Sequence, residues 1–486
     1  MSFVEKKLHY YYLFTSAIYV VIYIFLTPPF YTNDEFSHFQ KASSKEKIYL
    51  NGNLSISKNA QEFAELFYYM QLKTYISKDS IDDYENLEIR KNIQKTKSED
   101  YLNKFILSGR TNFNYSRNFY QDTFAEYEWN NDYTEATLNN LVGYPITGYI
   151  FSKLGVEFSK LFSNKIYISF YTGRLFNAIF CIIVIFFALK YIKNGKEFLF
   201  AIFSLPTVLK LTGSFSQDGI LFAYSLLITL IFNFLNEDKD LQDKKKQTFF
   251  LLSFVLLLFI SCARPSYVVF FSLTLIFYSK KYFINKSLIV LIPIIISSLF
   301  FLSFINYYPM PISPSEFTDG SNNIDFLISS PFIIIKILIN DFINNFTKYS
   351  SMLIGFMGHG NFYLDYRLKI IIGFFFVAIF ILSSYKNIIF NLKNLFIILI
   401  CFSSVIITQV LQYIYSTSPG RIDLIQGVDA RYFIPNIIFL SLIFKNMHKE
   451  LNAKIKIFKN TALLIIPHFN MFVLFQMYEF FYFPKF

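Results

Sequence analysis

Two carboxylates and a histidine stand close together early in the chain, in Pro28-Pro29-Phe30-Tyr31-Thr32-Asn33-Asp34-Glu35-Phe36-Ser37-His38. Asp34 and His38 are four residues apart, a spacing that puts two side chains on one helix face. A carboxylate at a membrane surface with a histidine nearby has the makings of a general base, and either Asp34 or Glu35 fits that role. Capping of the next helix by Asn33 or Asp34 is a compatible use. Four later segments concentrate polar residues. Thr212-Gly213-Ser214-Phe215-Ser216-Gln217-Asp218-Gly219 offers Ser216 and Asp218, the latter also placed as a helix N-cap. Cys262-Ala263-Arg264-Pro265-Ser266-Tyr267 breaks an apolar run with one arginine, which at membrane depth needs an anionic partner or a route to the headgroups. Gly355-Phe356-Met357-Gly358-His359-Gly360-Asn361, followed by Asp365 and Arg367, implies a sharp loop. Last come Gly420-Arg421 and Gly427-Val428-Asp429-Ala430-Arg431-Tyr432-Phe433-Ile434-Pro435. Guanidinium groups hold phosphate through paired hydrogen bonds, so arginines at a lipid–water boundary suit a phosphate clamp.

The elements that must position these residues are apolar. Of 486 residues, 54% are hydrophobic, 21% aromatic and only 16% charged, where a soluble domain carries about a quarter charged. Candidate spans lie at about 10–26, 166–190, 197–212, 219–236, 248–262, 266–279, 284–306, 368–385, 395–415, 432–446 and 460–480. The expected fold is all-α, a polytopic transmembrane helical bundle of about 11 spans within a range of about 10–13. The first segment follows Lys6 and Lys7 and lacks a small-x-small cleavage site, so it reads as an uncleaved anchor. Three parts follow: 1–30, the N-terminal tip and first span; 31–145, a large helical external loop containing the sole tryptophan, Trp129; and 146–486, the multispan region. Asn59–Tyr75 and Ile81–Lys95 read as short amphipathic helices, Ile146–Phe162 as an interfacial one, and 331–356 as a stretch that dips in without crossing.

Charge sets an orientation. With the N-terminus in the cytoplasm, the inner connections carry lysine, among them Lys7, Lys190, Lys196, Lys244–Lys246, Lys393 and Lys459, and no arginine. The short outer connections carry Arg264, Arg367, Arg421 and Arg431 and no lysine. This is the positive-inside pattern, and it places the 31–145 loop outside. It also accounts for the net charge of +11 without nucleic acid. Cys181, Cys262 and Cys401 lie within apolar segments at no redox or metal spacing. Asp238-Lys239-Asp240 has the spacing of a metal-holding DxD but sits in an inner loop of alternating charge. No HExxH, P-loop or GxGxxG occurs, so no cofactor and no metal ligands are assigned, and a divalent cation stays open as an alternative.

Taken in order, the motifs resemble those of the DUF2142 family of bacterial membrane proteins, grouped with the GT-C superfamily of lipid-dependent glycosyltransferases. Pro28-Pro29…Asn33-Asp34-Glu35…His38 is similar to its PP…PDE…H element, with Asn33 in place of proline. Gly143-Tyr144-Pro145 and Arg174 resemble a YPP-like segment and the arginine after it. Ser214–Gly219 resembles SxSxDA, Arg264-Pro265-Ser266-Tyr267 resembles KPPY, and Gly358-His359-Gly360…Asp365 stands where GWLD is expected. Gly427–Pro435 is similar to GVQGRYFLP. The resemblance implies a GT-C-like bundle in a bacterial cytoplasmic membrane, with its active site outside. It further implies a polyprenyl-phosphate sugar donor, a glycan or lipid-linked acceptor, membrane lipids as surroundings, and inversion at the anomeric carbon. Asp34 or Glu35 with His38 would then be catalytic. Arg264, Arg421 and Arg431, with Tyr432, Ser216, Asp218 and Arg174, would bind the lipid phosphate and substrate. A glycan polymerase or ligase, a lipid-linked glycan flippase and a non-catalytic scaffold are the alternatives. Charges gathered at one surface, without an internal repeat, favour an enzyme over a transporter.

Overall fold

The computed structural model describes residues 3–32, 34–44, 55–64, 127–135, 145–237, 243–277, 295–296, 320–355, 364–384, 391–418, 420–444 and 452–482. The 81–95 helix, the 284–306 span except for Ile295 and Ile296, the Asp238-Lys239-Asp240 loop, Asn33, Gly143-Tyr144 and the Gly358-His359-Gly360 motif lie outside the described residues.

Helix α1 (Phe3–Leu26) leads to α2 (Glu35–Ser43). A short ribbon pairs β1 (Ser55–Ser57) antiparallel with β2 (Tyr133–Glu135), Ile56 opposite Thr134. Then come α3 (Ile150–Ser159), α4 (Ile166–Tyr191), α5 (Lys196–Phe203), α6 (Pro206–Thr212), α7 (Asp218–Glu237) and α8 (Asp243–Ala263). A 3-10 turn at Pro265–Phe270 precedes α9 (Phe271–Phe277). After α10 (Gly320–Ser329) and α11 (Ile333–Gly355) follow α12 (Tyr366–Ser384) and α13 (Leu392–Ser416). A second 3-10 turn, Ala430–Phe433, opens α14 (Ile434–Leu440), and α15 (Ala453–Ile465) and α16 (Phe469–Tyr482) close the chain.

Among the described residues, seven helices are long and apolar enough to cross a bilayer: α1, α4, α7, α8, α12, α13 and the α15–α16 pair. The fold is a helical bundle, as the apolar runs require. Several expected spans come out shorter or broken, and proline is the reason. Leu205, ahead of Pro206, is extended and splits 197–212 into α5 and α6. Arg264 is extended before Pro265, so α8 ends at Ala263, at the break expected between 248–262 and 266–279. Helices α10 and α11 meet at 112°, the geometry of a broken span or of a re-entrant loop, and 331–356 itself is occupied by the single helix α11. The 146–162 region is a turn followed by α3, which lies against α4 rather than apart from it. A Cβ on Gly155 would stand 2.6 Å from the Thr172 carbonyl oxygen, so only glycine allows the two backbones so close.

The bundle has two chemically distinct ends. At one, Lys459 Nζ lies 2.6 Å from Glu197, and Lys393 Nζ donates to Asn236 at 2.7 Å. At the other, α1 ends, α7 begins and α8 ends. Along α4, Arg174 and Lys190 are separated by roughly 24 Å at 1.5 Å per residue, most of a hydrocarbon core. The arginine motifs and the lysine connections are therefore at opposite ends.

Candidate active site

The site grows from the way α1 stops. Pro28 cannot continue the helix, so its last carbonyls lack intrahelical partners. Arg174, reaching across from α4, supplies them. Its Nη1 donates to the Ile24 and Thr27 carbonyls at 2.9 and 2.8 Å, and its Nη2 to Pro28 at 3.2 Å. Nε and Nη2 also donate to the two carboxylate oxygens of Glu35, at 2.9 and 2.6 Å. All five N–H groups of the guanidinium are thereby used. Glu35 accepts one more bond, from the Phe215 amide at 3.1 Å. Neither partner is more than 1% exposed. This buried pair ties the end of α1, the start of α2 and the Ser214–Asp218 turn to α4.

Next to it stands a second, partly open cluster. Asp218 begins α7, where the helix dipole favours a carboxylate, and Ser216 Oγ donates to it at 3.1 Å. One oxygen of Asp218 accepts from Arg264 Nη2 at 2.6 Å, and the other is 3.3 Å from Arg431 Nε. Arg431 also meets Asp429 (3.1 Å) and Asp34 (2.6 Å through Nη2). The Arg264 guanidinium lies 3.8 Å above the Tyr432 ring, a cation–π contact. Tyr267 steadies that tyrosine by donating to its carbonyl at 2.7 Å.

Exposure separates the roles. The Asp34 side chain is 50% exposed, Arg264 13%, and Arg431 only 3%. Asp34 also has a left-handed backbone, φ 60°, a conformation that costs a non-glycine residue about 1 kcal/mol. Such strain at an open carboxylate marks it as a candidate for chemistry rather than for packing.

The family model described as "Predicted membrane protein (DUF2142)" matches residues 17–440, an interval that contains every member of both clusters. The chain belongs to the DUF2142 family. With its several apolar helices it is a multi-pass membrane protein. No curated protein and no solved structure matches it.

In this DUF2142 member, then, Asp34, Asp218, Arg264, Arg431, Ser216 and Tyr432 are brought together, and Glu35 and Arg174 form the buried pair beside them. Arg421 is not drawn in. Its guanidinium is bonded to Asp423 at 2.9 and 3.2 Å on the open surface. Sequence reasoning missed Tyr149, whose hydroxyl is 2.7 Å from His38 Nδ1. It also missed Lys210, buried in α6 with its ammonium 5.6 Å from the Tyr31 ring centre. A lone lysine within an apolar run was the available signal for the second.

His38 is buried beside the open cluster, and burial pushes its pKa down to about 4. The carboxylates of Asp34 and Asp218 oppose that shift without offsetting it. Free histidine titrates near 6.5, so between these two values the unfolded chain binds the extra proton. The resulting stability is complete above about pH 6.5 and is lost as pH falls toward 4, up to roughly 3 kcal/mol. Unfolding midpoints measured from pH 7 to 4.5 should fall less steeply for His38→Gln than for wild type. Parallel profiles would show that the imidazole contributes no such term.

Proposed function

We propose that this protein is an integral-membrane glycosyltransferase of the inverting kind, moving a sugar from a polyprenyl-phosphate carrier to a cell-envelope or surface glycan outside the cytoplasmic membrane. The observation that carries this reading is the half-exposed Asp34 carboxylate, held by the buried Arg431 beside a second, more accessible guanidinium, Arg264. Asp34 is the base. It takes the proton of the acceptor hydroxyl as the oxygen attacks the anomeric carbon from the face opposite the phosphate. The new C–O bond forms while the bond to the carrier phosphate breaks, and the leaving phosphate keeps the electron pair. Arg264 faces that developing charge. Arg431 aligns base and clamp, since it bonds Asp34 and shares Asp218 with Arg264. Glu35, with its oxygens taken by Arg174 and the Phe215 amide, positions rather than reacts. Turning the 31–145 loop outward puts the cluster where lipid-linked sugars and glycans meet.

The test is the mass profile of surface glycans from a deletion strain carrying wild type, Asp34→Asn or no gene. A glycan residue lost on deletion, restored by wild type and not by an equally abundant Asp34→Asn protein, is the expected result. Full rescue by Asp34→Asn removes the catalytic assignment. Fusions of alkaline phosphatase should be active after residue 145 and inactive after residue 239, and the reverse would overturn the orientation.

Geometry also ranks the arginines. Arg264→Gln is expected to weaken binding of farnesyl phosphate at least tenfold, equivalent to about 1.4 kcal/mol, in nanodisc-held protein. Arg421→Gln should leave it within about twofold, because a surface ion pair of this kind contributes little. Equal losses in both would return Arg421 to the clamp.

A further inference from the structure

One buried carboxylate has no part in this mechanism. Asp341 lies in α11, far from Asp34 and Asp218 in sequence, and it is fully buried. Its two oxygens accept four hydrogen bonds, all from neutral donors. Asn345 Nδ2 and the Ile425 amide reach Oδ1 at 2.7 and 2.8 Å, while the Tyr349 hydroxyl and Gln409 Nε2 reach Oδ2 at 2.7 and 3.1 Å. The donors come from three places: α11 itself, α13, and the loop that carries the chain from α13 to Arg431. Neighbouring residues of the same helix turn grip that loop as well. Asn340 donates to the Ile422 carbonyl and Asn344 to the Asp423 carbonyl, both at 2.9 Å. Helix α11 thus holds the loop backbone at residues 422, 423 and 425. A left-handed turn at Gly427, φ 75°, then delivers Asp429 and Arg431 to the cluster.

We infer that Asp341 is a positioning residue for the active site, fixing the 422–431 loop so that Arg431 meets Asp34 and Asp218. This deepens the glycosyltransferase reading and rests on it only for the ligand. The chemistry demands a carboxylate. Four converging donors need four acceptor sites, which an ionised carboxylate has and an amide lacks. Asparagine is nearly isosteric but would turn an NH2 group toward two of those donors and leave them unsatisfied.

The experiment uses full-length protein in nanodiscs, comparing wild type, Asp341→Asn and the milder Tyr349→Phe, which removes one donor. Amide hydrogen exchange is read in the peptide covering 422–431, and affinity is read with farnesyl phosphate against farnesol. Exchange in that peptide should rise at least tenfold in Asp341→Asn, with α4 and α7 unchanged, and by less in Tyr349→Phe. Affinity for farnesyl phosphate should fall at least tenfold in the folded fraction of Asp341→Asn. Unchanged exchange overturns the positioning role. So does unchanged affinity, provided Arg264→Gln lowers it. If wild type fails to prefer farnesyl phosphate to farnesol, the donor reading falls instead, and the exchange result alone decides the role of Asp341.

Discussion

Glu35→Gln is expected to lower the stability of the folded protein by about 3–5 kcal/mol, the usual cost of removing one member of a buried ion pair. The magnitude follows from what would remain. Arg174 would keep its charge in a site no more than 1% exposed, with three carbonyls but no anion around it. The glutamine amide would also point one donor at donors. The end of α1, α2 and the Ser214–Asp218 turn would loosen together, since all three hang on this pair. Arg174→Gln should cost a similar amount and additionally uncap α1. The double variant should be less destabilised than the two single losses summed, because the second removal takes away a charge already stranded by the first. Thermal unfolding of the detergent-purified proteins, followed by size-exclusion recovery after heating, measures all four corners. Simple additivity would mean that the pair is not coupled.

Much of this was legible in the sequence for one reason. In a chain of apolar spans, any ionisable residue near a helix end must have a partner or a task, so Asp34, Asp218, Arg264 and Arg431 stood out without knowledge of the fold. Their pairing did not. Arg431 and Asp34 are 397 residues apart, and no local spacing connects them. The division of labour between Asp34 and Glu35 was equally hidden, because a left-handed residue at Asp34, just ahead of α2, sends the two side chains in different directions. Here one turns toward Arg174 and the other toward solvent. Arg421 and Arg431 looked alike as two arginines on one loop, yet Arg421 is held by Asp423 and a left-handed turn at Gly427 lies between them. Lys210 and Asp341 carried the same signal as the chosen residues, yet each sat inside a stretch read as apolar and was passed over. The limits of the 197–212 run slipped where Pro206 cut it, since hydropathy alone does not register the missing amide, whereas the arginine beside Pro265 made the break there visible.

Asp34→Asn should reduce turnover by a factor of about 10²–10⁴, the range typical for loss of a general base, while binding of the carrier phosphate changes little. Asparagine keeps the shape and still accepts a bond from Arg431, but it cannot take the acceptor's proton. The loss belongs in kcat, not in the donor KM, and that split separates a base from a binding residue. Arg431→Gln offers the complementary result. It removes the group that aligns Asp34 and steadies Asp218, so kcat should fall and donor KM should rise. The two substitutions should then be far from additive: once Asp34 cannot accept a proton, losing its partner should add little to the fall in kcat. Glu35→Asp is the control, because a buried positioning residue should lose stability first and turnover only in proportion to the unfolded fraction. A kcat for Asp34→Asn within a factor of about 3 of wild type would move the base elsewhere, with His38 next in line, since it is neutral at physiological pH and adjoins the same cluster.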